Sequence, residues 1–288
     1  MTQVFDVIVV GGGHAGIEAA LAASRLGCSV LLLTMNPDTL GVMSCNPAIG
    51  GLAKGQIVRE IDCLGGAMGL NIDATGIQFR MLNTAKGPAV QSPRAQADKM
   101  AYAARMRRII EEDPRITLAM ETVKGLITDH GRVAGVRGSY EETYRGRSVV
   151  ITPGTFLRGR LHMGDRIFPG GRLGEHPADG LGEALKDLGM PMGRLKTGTP
   201  ARVDGKTLDY SRMEPQAGDD PPRPFSFKTQ RLSLEQVPCY KTHTGEKTHD
   251  IIRKNLKLSA LFSGNITGIG PRYCPSIEDK IKKFPDRD

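Results

Sequence analysis

The stretch Phe5-Asp6-Val7-Ile8-Val9-Val10-Gly11-Gly12-Gly13-His14-Ala15-Gly16 decides the fold. Its first half is a short, nearly unbroken apolar run rich in β-branched residues, the pattern of a strand buried on both faces of a parallel sheet. Residues 17–26 are rich in Ala and Leu with no breaker, Gly27 ends them, and Ser29-Val30-Leu31-Leu32-Leu33 supplies a second apolar run. Strand, helix and strand make a βαβ unit, and that context gives the glycines their meaning. Gly11 permits the tight turn, Gly13 lets a diphosphate approach the backbone, and Gly16 allows helix and strand to pack closely, with the helix N-terminus facing the anion. Gly11, Gly12, Gly13, His14, Ala15 and Gly16 are therefore the candidate dinucleotide cradle. One element departs from the fingerprint. An Asp or Glu normally ends the second strand and holds the ribose hydroxyls, but Leu33-Thr34-Met35-Asn36 stands there. Thr34 substitutes weakly, or the contact comes from elsewhere.

Outward from this unit, residues 94–112 read as one long helix with apolar residues on one face and arginines on the other, stopped by Asp113-Pro114. Arg94 would open that helix, where the dipole disfavours a cation unless an anion is bound. Residues 57–64 read as a shorter helix. Residues 116–120, 122–128 and 133–138 read as strands, the last two joined by the turn Asp129-His130-Gly131-Arg132, and residues 147–152 as another buried strand. Beyond Pro200, Gly, Pro and charged residues dominate as far as Pro224. The expected architecture is a doubly wound α/β domain over residues 1–199 with a small β-meander, followed by a less regular α+β insertion over residues 200–288.

The chain has 288 residues, 39% of them hydrophobic, enough for a sizeable core. Its net charge is +8, and residues 145–172 hold six arginines against a single acid, Asp165. Such a patch suits an anionic partner, nucleic acid above all, or is a solvated surface. Five cysteines without a CxxC pair exclude a disulfide framework, a zinc site and a dithiol redox centre, and make the cytoplasm the default location. No apolar run is long enough to span a bilayer, and the N-terminus has no basic leader. His243 and His249 have no third ligand at metal spacing and read as tRNA or substrate contacts or as solvent-exposed, so no metal is expected.

The blocks VIVVGGGHAGIEAA, TMNPDTLGVMSCNPAIGGLAKG, GIQFRMLNTAKGPAVQSPRAQAD, GRLKTGTPARVD, VPCYKTHTGEKTHDIIRKNL and GIGPRYCPSIEDK together resemble the MnmG (GidA) family of flavoproteins. That family modifies C5 of the tRNA wobble uridine with an aminomethyl or carboxymethylaminomethyl group. The resemblance implies a glutathione-reductase-type, Rossmann-like FAD-binding fold with Gly11 to Gly16 on the FAD diphosphate and Val123 beside the adenine. It also implies NADH at residues 270–284, among them Gly270, Pro271, Arg272, Tyr273, Pro275 and Ser276. Methylenetetrahydrofolate would be the one-carbon donor, tRNA the substrate, the GTPase MnmE the partner and a homodimer the assembly. Full-length members continue past the residues present here, with a segment that completes the flavin fold and a helical region that docks MnmE. The related folate-dependent tRNA uracil methyltransferase TrmFO shares the flavin unit but matches the PRYCPSIEDK block less well. A flavin- or RNA-binding fragment without turnover is the reading from a different class.

Modification at C5 of uridine makes the cysteines the candidates for catalysis. C5 gains carbon-nucleophile character once something adds to C6, and a thiolate is the usual addend. Cys45, in the turn MSCNPAIGG, precedes a predicted helix that would aim its amide dipoles at the thiol. Cys274 lies between Tyr273 and Pro275 in another turn-rich segment. The match to the family makes the two a pair, one adding to C6 and the other moving a proton or resolving an intermediate. Cys28 and Cys63 read as small apolar fillers, and the role of Cys239 stays open. Lys54 and Lys86, each in an Ala-Lys-Gly context, are candidates to neutralise flavin or phosphate charge, or are exposed loop lysines.

Overall fold

β1 (Val4–Val10), α1 (His14–Arg25) and β2 (Val30–Thr34) form the βαβ unit that the opening stretch predicts. The structure is a computed structural model that describes residues 3–268, 270 and 275–285. β1 and β2 pair in parallel from Val7 opposite Val30 to Val10 opposite Leu33. All of β2 is buried, as its unbroken apolar run requires. α1 turns Ile17, Ala20 and Leu21 onto the sheet.

The chain then leaves the sheet for β3 (Ala48–Gly50), α2 (Lys54–Cys63), α3 (Met68–Thr75), β4 (Gly76–Leu82) and β5 (Ser92–Ala97). α4 (Lys99–Glu111) brings it back to β6 (Ile116–Met120), which pairs in parallel with β2. The single helix expected over residues 94–112 thus begins as strand, over residues 94–97. Arg94, Ala95, Gln96 and Ala97 have good helix propensity, but β5 is the central strand of an antiparallel sheet ordered β3-β5-β4, and its alternation buries Ala95 and Ala97. Tertiary pairing overrides propensity here. The helix begins where Asp98 caps it, its carboxylate accepting from the N–H groups of Met100 and Ala101 at 3.0 Å. Arg94 therefore sits in a strand, and the helix-start argument for an anion at that residue falls.

β7 (Val123–Asp129), β8 (Arg132–Gly138) and β9 (Thr143–Ile151) form the expected meander. β9 pairs antiparallel with β8 near its start and in parallel with β1 from Arg145 opposite Val4 to Ile151 opposite Val10. The resulting sheet has the order β6-β2-β1-β9-β8-β7. Strand order reverses at β1, which is reached from one side through a helical crossover and from the other through the meander. In such sheets ligands bind at the carboxyl ends of the strands, at that switch point.

After β9 come the hairpin β10 (Arg160–Met163) and β11 (Arg166–Pro169) and the short helix α5 (Leu181–Asp187). β12 (Glu214–Gln216), β13 (Cys239–Lys241), α6 (Glu246–Asn255) and α7 (Ile277–Lys283) follow. Residues 217–238 contain neither helix nor strand, yet they are seated firmly. Phe225 is fully buried in the core formed with α1, α3 and α4. Backbone N–H groups taken out of water must find acceptors, and here they find carboxylates. Asp73 accepts from Phe225 at 2.7 Å and from Ser226 at 2.9 Å, and Asp62 accepts from Phe227 at 2.8 Å. Burial pushes the Asp73 carboxyl above its ordinary range, against the pull of those bonds.

Candidate functional site

The carboxyl ends of the four parallel strands open into a cavity of about 860 Å³. Val10 and Gly11 line it from β1, Leu33 and Thr34 from β2, Glu121 from the end of β6 and Thr152 from the end of β9. Gly11 has φ +112°, and a Cβ there would lie 2.3 Å from the Thr152 carbonyl oxygen. At Gly16 a Cβ would lie 1.8 Å from the Gly11 carbonyl oxygen, so helix and strand touch at backbone distance. Gly13 is different. A Cβ there meets no protein atom within 4 Å, and Gly13 lines the cavity as the N-cap of α1 without a side-chain cap. A glycine that nothing in the protein requires sterically, at the uncapped N-terminus of α1, fits a diphosphate that approaches the backbone.

His14 also lines the cavity. Its ring lies 5.5 Å from that of Tyr102, and burial holds its imidazole below the ordinary value. His14 Nε2, Tyr102 Oη and Asn71 Oδ1 are buried without a hydrogen-bond partner among the described residues. Ala15, which is exposed, and Gly16, which is buried, are not part of the lining, whereas Val123 is.

The acid missing from the end of β2 has a neighbour that the sequence reading overlooked. Glu121 is buried at the end of the adjacent strand, its N–H donating to the Thr34 carbonyl at 2.8 Å. Its Oε1 accepts from the N–H groups of Thr122 and Ser139 and from the Ser139 hydroxyl. Those bonds brace the backbone between β6 and Val123. Asn36, two residues after the strand, spends its side-chain oxygen on the Asp38 N–H at 2.8 Å. The signal for Glu121 was an isolated acid closing an apolar strand.

Cys45 also lines the cavity, with Ser44, Gly50, Gly51 and Lys54. Its Sγ donates to the Gly198 carbonyl at 3.1 Å, and Arg202 donates to the Cys45 carbonyl. Arg172, held by Glu175, donates to Ser44 Oγ at 3.2 Å. α2 begins at Lys54, three residues before the helix read over residues 57–64, after Ala53 in a left-handed conformation. Of the residues proposed for NADH, Gly270 lies beside Lys196, a Cβ on it falling 3.3 Å from the lysine Cδ. Pro275 and Ser276 precede α7 and do not line the cavity. Pro271, Arg272, Tyr273 and Cys274 fall outside the described residues. Residues 268 and 270 nevertheless run beside residues 194–196, close in sequence to Gly198 and its contact with Cys45.

Other readings change. His249 is buried, not exposed, and shares a 2.8 Å hydrogen bond with Thr244 Oγ1 at the start of α6. Cys63 is exposed because it ends α2 on the outer face, whereas Cys28 packs against the core as expected. Cys239 donates to Gln78 Oε1 at 3.2 Å. Lys54 and Lys86 are both exposed, and Lys54 is in the lining. Within the arginine-rich stretch, Arg147 pairs with Asp6 and Arg158 with Glu183, while Arg160 and Arg166 are exposed on the β10–β11 hairpin. Among the described residues no His, Cys, Asp and Glu cluster holds metal-ligand geometry, and no helix is long and apolar enough to cross a membrane.

Comparison with known proteins places this geometry in context. The family described as glucose inhibited division protein A matches residues 6–288. A tRNA uridine 5-carboxymethylaminomethyl modification enzyme MnmG of Geobacter sulfurreducens is 59% identical over 284 residues, covering 99% of this chain and 45% of that protein. The MnmG of Aquifex aeolicus is 55% identical over 291 residues and covered to 47%. A crystal structure of Aquifex aeolicus GidA superposes with a TM-score of 0.92 at 54% identity, over 99% of this chain and 49% of that one. The chain thus spans about half the length of the relatives it matches.

Proposed function

The chain belongs to the glucose inhibited division protein A family, and on that premise we propose that it carries the FAD-binding and thiol-bearing part of a tRNA uridine-modifying enzyme. The observation that carries the reading is one cavity lined both by Gly13, at an uncapped helix N-terminus, and by Cys45. The diphosphate of FAD would rest on Gly11 to Gly16, with its adenine toward Val123. FAD bound there supplies a two-electron carrier between NADH and the one-carbon unit of methylenetetrahydrofolate. The NADH contacts belong to Gly270 and the residues that follow it, through Ser276. The whole activity, with tRNA as substrate, MnmE as partner, a homodimer as assembly and the cytoplasm as location, belongs to this proposal.

The thiol chemistry needs one group that adds to C6 of uridine and one that moves a proton. Cys45 as thiolate forms the S–C6 bond while the C5–C6 π electrons move toward C4 and its carbonyl oxygen, which makes C5 the nucleophile. After C5 has bonded to the one-carbon unit, loss of the C5 proton expels the thiolate and restores the ring. Cys274 is the companion for the proton. Titration of the chain with FAD tests the cradle: quenched flavin fluorescence and a structured flavin absorbance are expected, and a colourless chain that quenches nothing overturns it. Nucleoside analysis of tRNA after reaction separates a carboxymethylaminomethyl product from a methylated one, and an unchanged product with both Cys45→Ser and Cys274→Ser in place removes the thiol mechanism.

A further inference from the structure

The Cys45 thiol is engaged by a segment from far along the chain. Cys45 Sγ donates to the carbonyl oxygen of Gly198, 153 positions later, and Arg202 grips the Cys45 carbonyl from 157 positions later. Residues 196–202 contain no helix or strand. Arg202 is exposed and lies outside the cavity lining, whereas Arg172, which steadies Ser44, lies within it.

A thiol that donates to a carbonyl is the protonated partner, and the nucleophile is the thiolate. A sulfur anion 3.1 Å from the Gly198 oxygen would face lone pairs with no proton between them. The sulfur and that carbonyl must therefore part before Cys45 attacks anything. The Arg202 guanidinium has a neutral carbonyl, that of Cys45, as its acceptor, and a phosphodiester offers the same fork two charged oxygens, a stronger and bidentate acceptor. Arg202, exposed and outside the cavity lining, is open to a polyanion laid on the outer surface.

We propose that residues 196–202 form a latch that stores Cys45 as a thiol, that Arg202 is its positioning residue, and that an RNA phosphodiester opens it by drawing the guanidinium off the Cys45 carbonyl. The inference rests on the reading of Cys45 as the nucleophile, and it couples arrival of the nucleic acid to exposure of the thiol. No covalent change accompanies the opening.

The rate of alkylation by iodoacetamide, followed at Cys45 by peptide mass spectrometry, tests it. Arg202→Ala should raise the Cys45 rate at least about fivefold and Arg202→Lys should restore most of the native rate, while Cys28 and Cys63 react as in the native chain and report that the fold is intact. Inorganic phosphate should accelerate Cys45 in the native chain and leave the Arg202→Ala rate unchanged, and FAD should not accelerate it. A Cys45 rate in Arg202→Ala within twofold of native overturns the latch; absence of acceleration by phosphate overturns the phosphodiester trigger. Failure of the underlying reading is separate: it shows as full tRNA modification by Cys45→Ser, whatever the alkylation rates.

Discussion

The two ends of the cavity are built by opposite means. At the Gly11 to Gly16 end the geometry is made of backbone: three glycines within one turn, the end of β1, and the start of α1. At the Cys45 end it is made of contacts between residues more than 120 positions apart, from Arg172, Gly198 and Arg202 onto a turn without regular structure. The first end is local, so a side chain added at Gly11 or Gly16 runs into backbone. The second is a convergence of segments, so its integrity depends on what holds the irregular strands of chain in place.

The largest expected effect comes from breaking the local end. Gly16→Val places a side chain into the Gly11 carbonyl, and flavin affinity should fall by at least about 100-fold, roughly 2.7 kcal/mol, with a clear loss of thermal stability. Gly13→Val sharpens the point. It meets no protein atom, so it should weaken flavin binding while the melting temperature of the chain stays near native; equal losses of stability in the two variants would show that Gly13 serves the fold and not the ligand.

The Cys45 end breaks through the core. Phe225 is fully buried and its ring packs on Gly50, where φ is +85° and a Cβ would lie 2.6 Å from the phenyl carbon. Phe225→Ala should cost about 4 kcal/mol in chemical denaturation, the usual loss for a buried aromatic and its cavity. Asp73→Ala leaves the N–H groups of Phe225 and Ser226 without their acceptor and should cost about 2 kcal/mol, less than the loss of two buried bonds because the burial of a carboxylate is relieved at the same time. Should Asp73→Ala match native stability in urea denaturation, the carboxylate does not seat the segment.

The smallest effect is on pH. Burial holds the His14 imidazole below its ordinary value of 6.5, so the folded chain resists a proton that the unfolded chain accepts. Nothing is lost above that value, and stability falls as pH drops below it. Glu18 and Asp73, raised by burial, act in the other sense at lower pH, where protonation relieves the cost of burying their charge. His14→Gln should flatten the decline in melting temperature between pH 7 and pH 5.5. An identical slope in that variant would place the loss elsewhere.

Much of this was legible without coordinates because it is local. The run from Phe5 to Gly16 specifies strand, turn and helix by rules of a few residues, and a Gly at position 16 has one mechanical reading once a strand precedes it. Arg94 to Ala97 misled because their propensity is helical while their pairing partners, Gln78 to Arg80 and Ala48 to Gly50, lie elsewhere in the chain. Glu121 and His249 escaped for the same reason: burial is a property of what packs on a residue, and neither its packing nor its partners are adjacent in sequence.

The sequence by itself determined the βαβ unit, the glycine cradle and the thiols as candidates, since each follows from the chemistry of neighbouring residues. Only the tertiary structure decided that β5 is a strand, that Asp73 and Asp62 seat residues 225–227, and that Gly198 and Arg202 close over Cys45. The physical reason is that unsatisfied backbone groups and apolar faces choose among many distant partners, and that choice is settled by the packing of the whole chain.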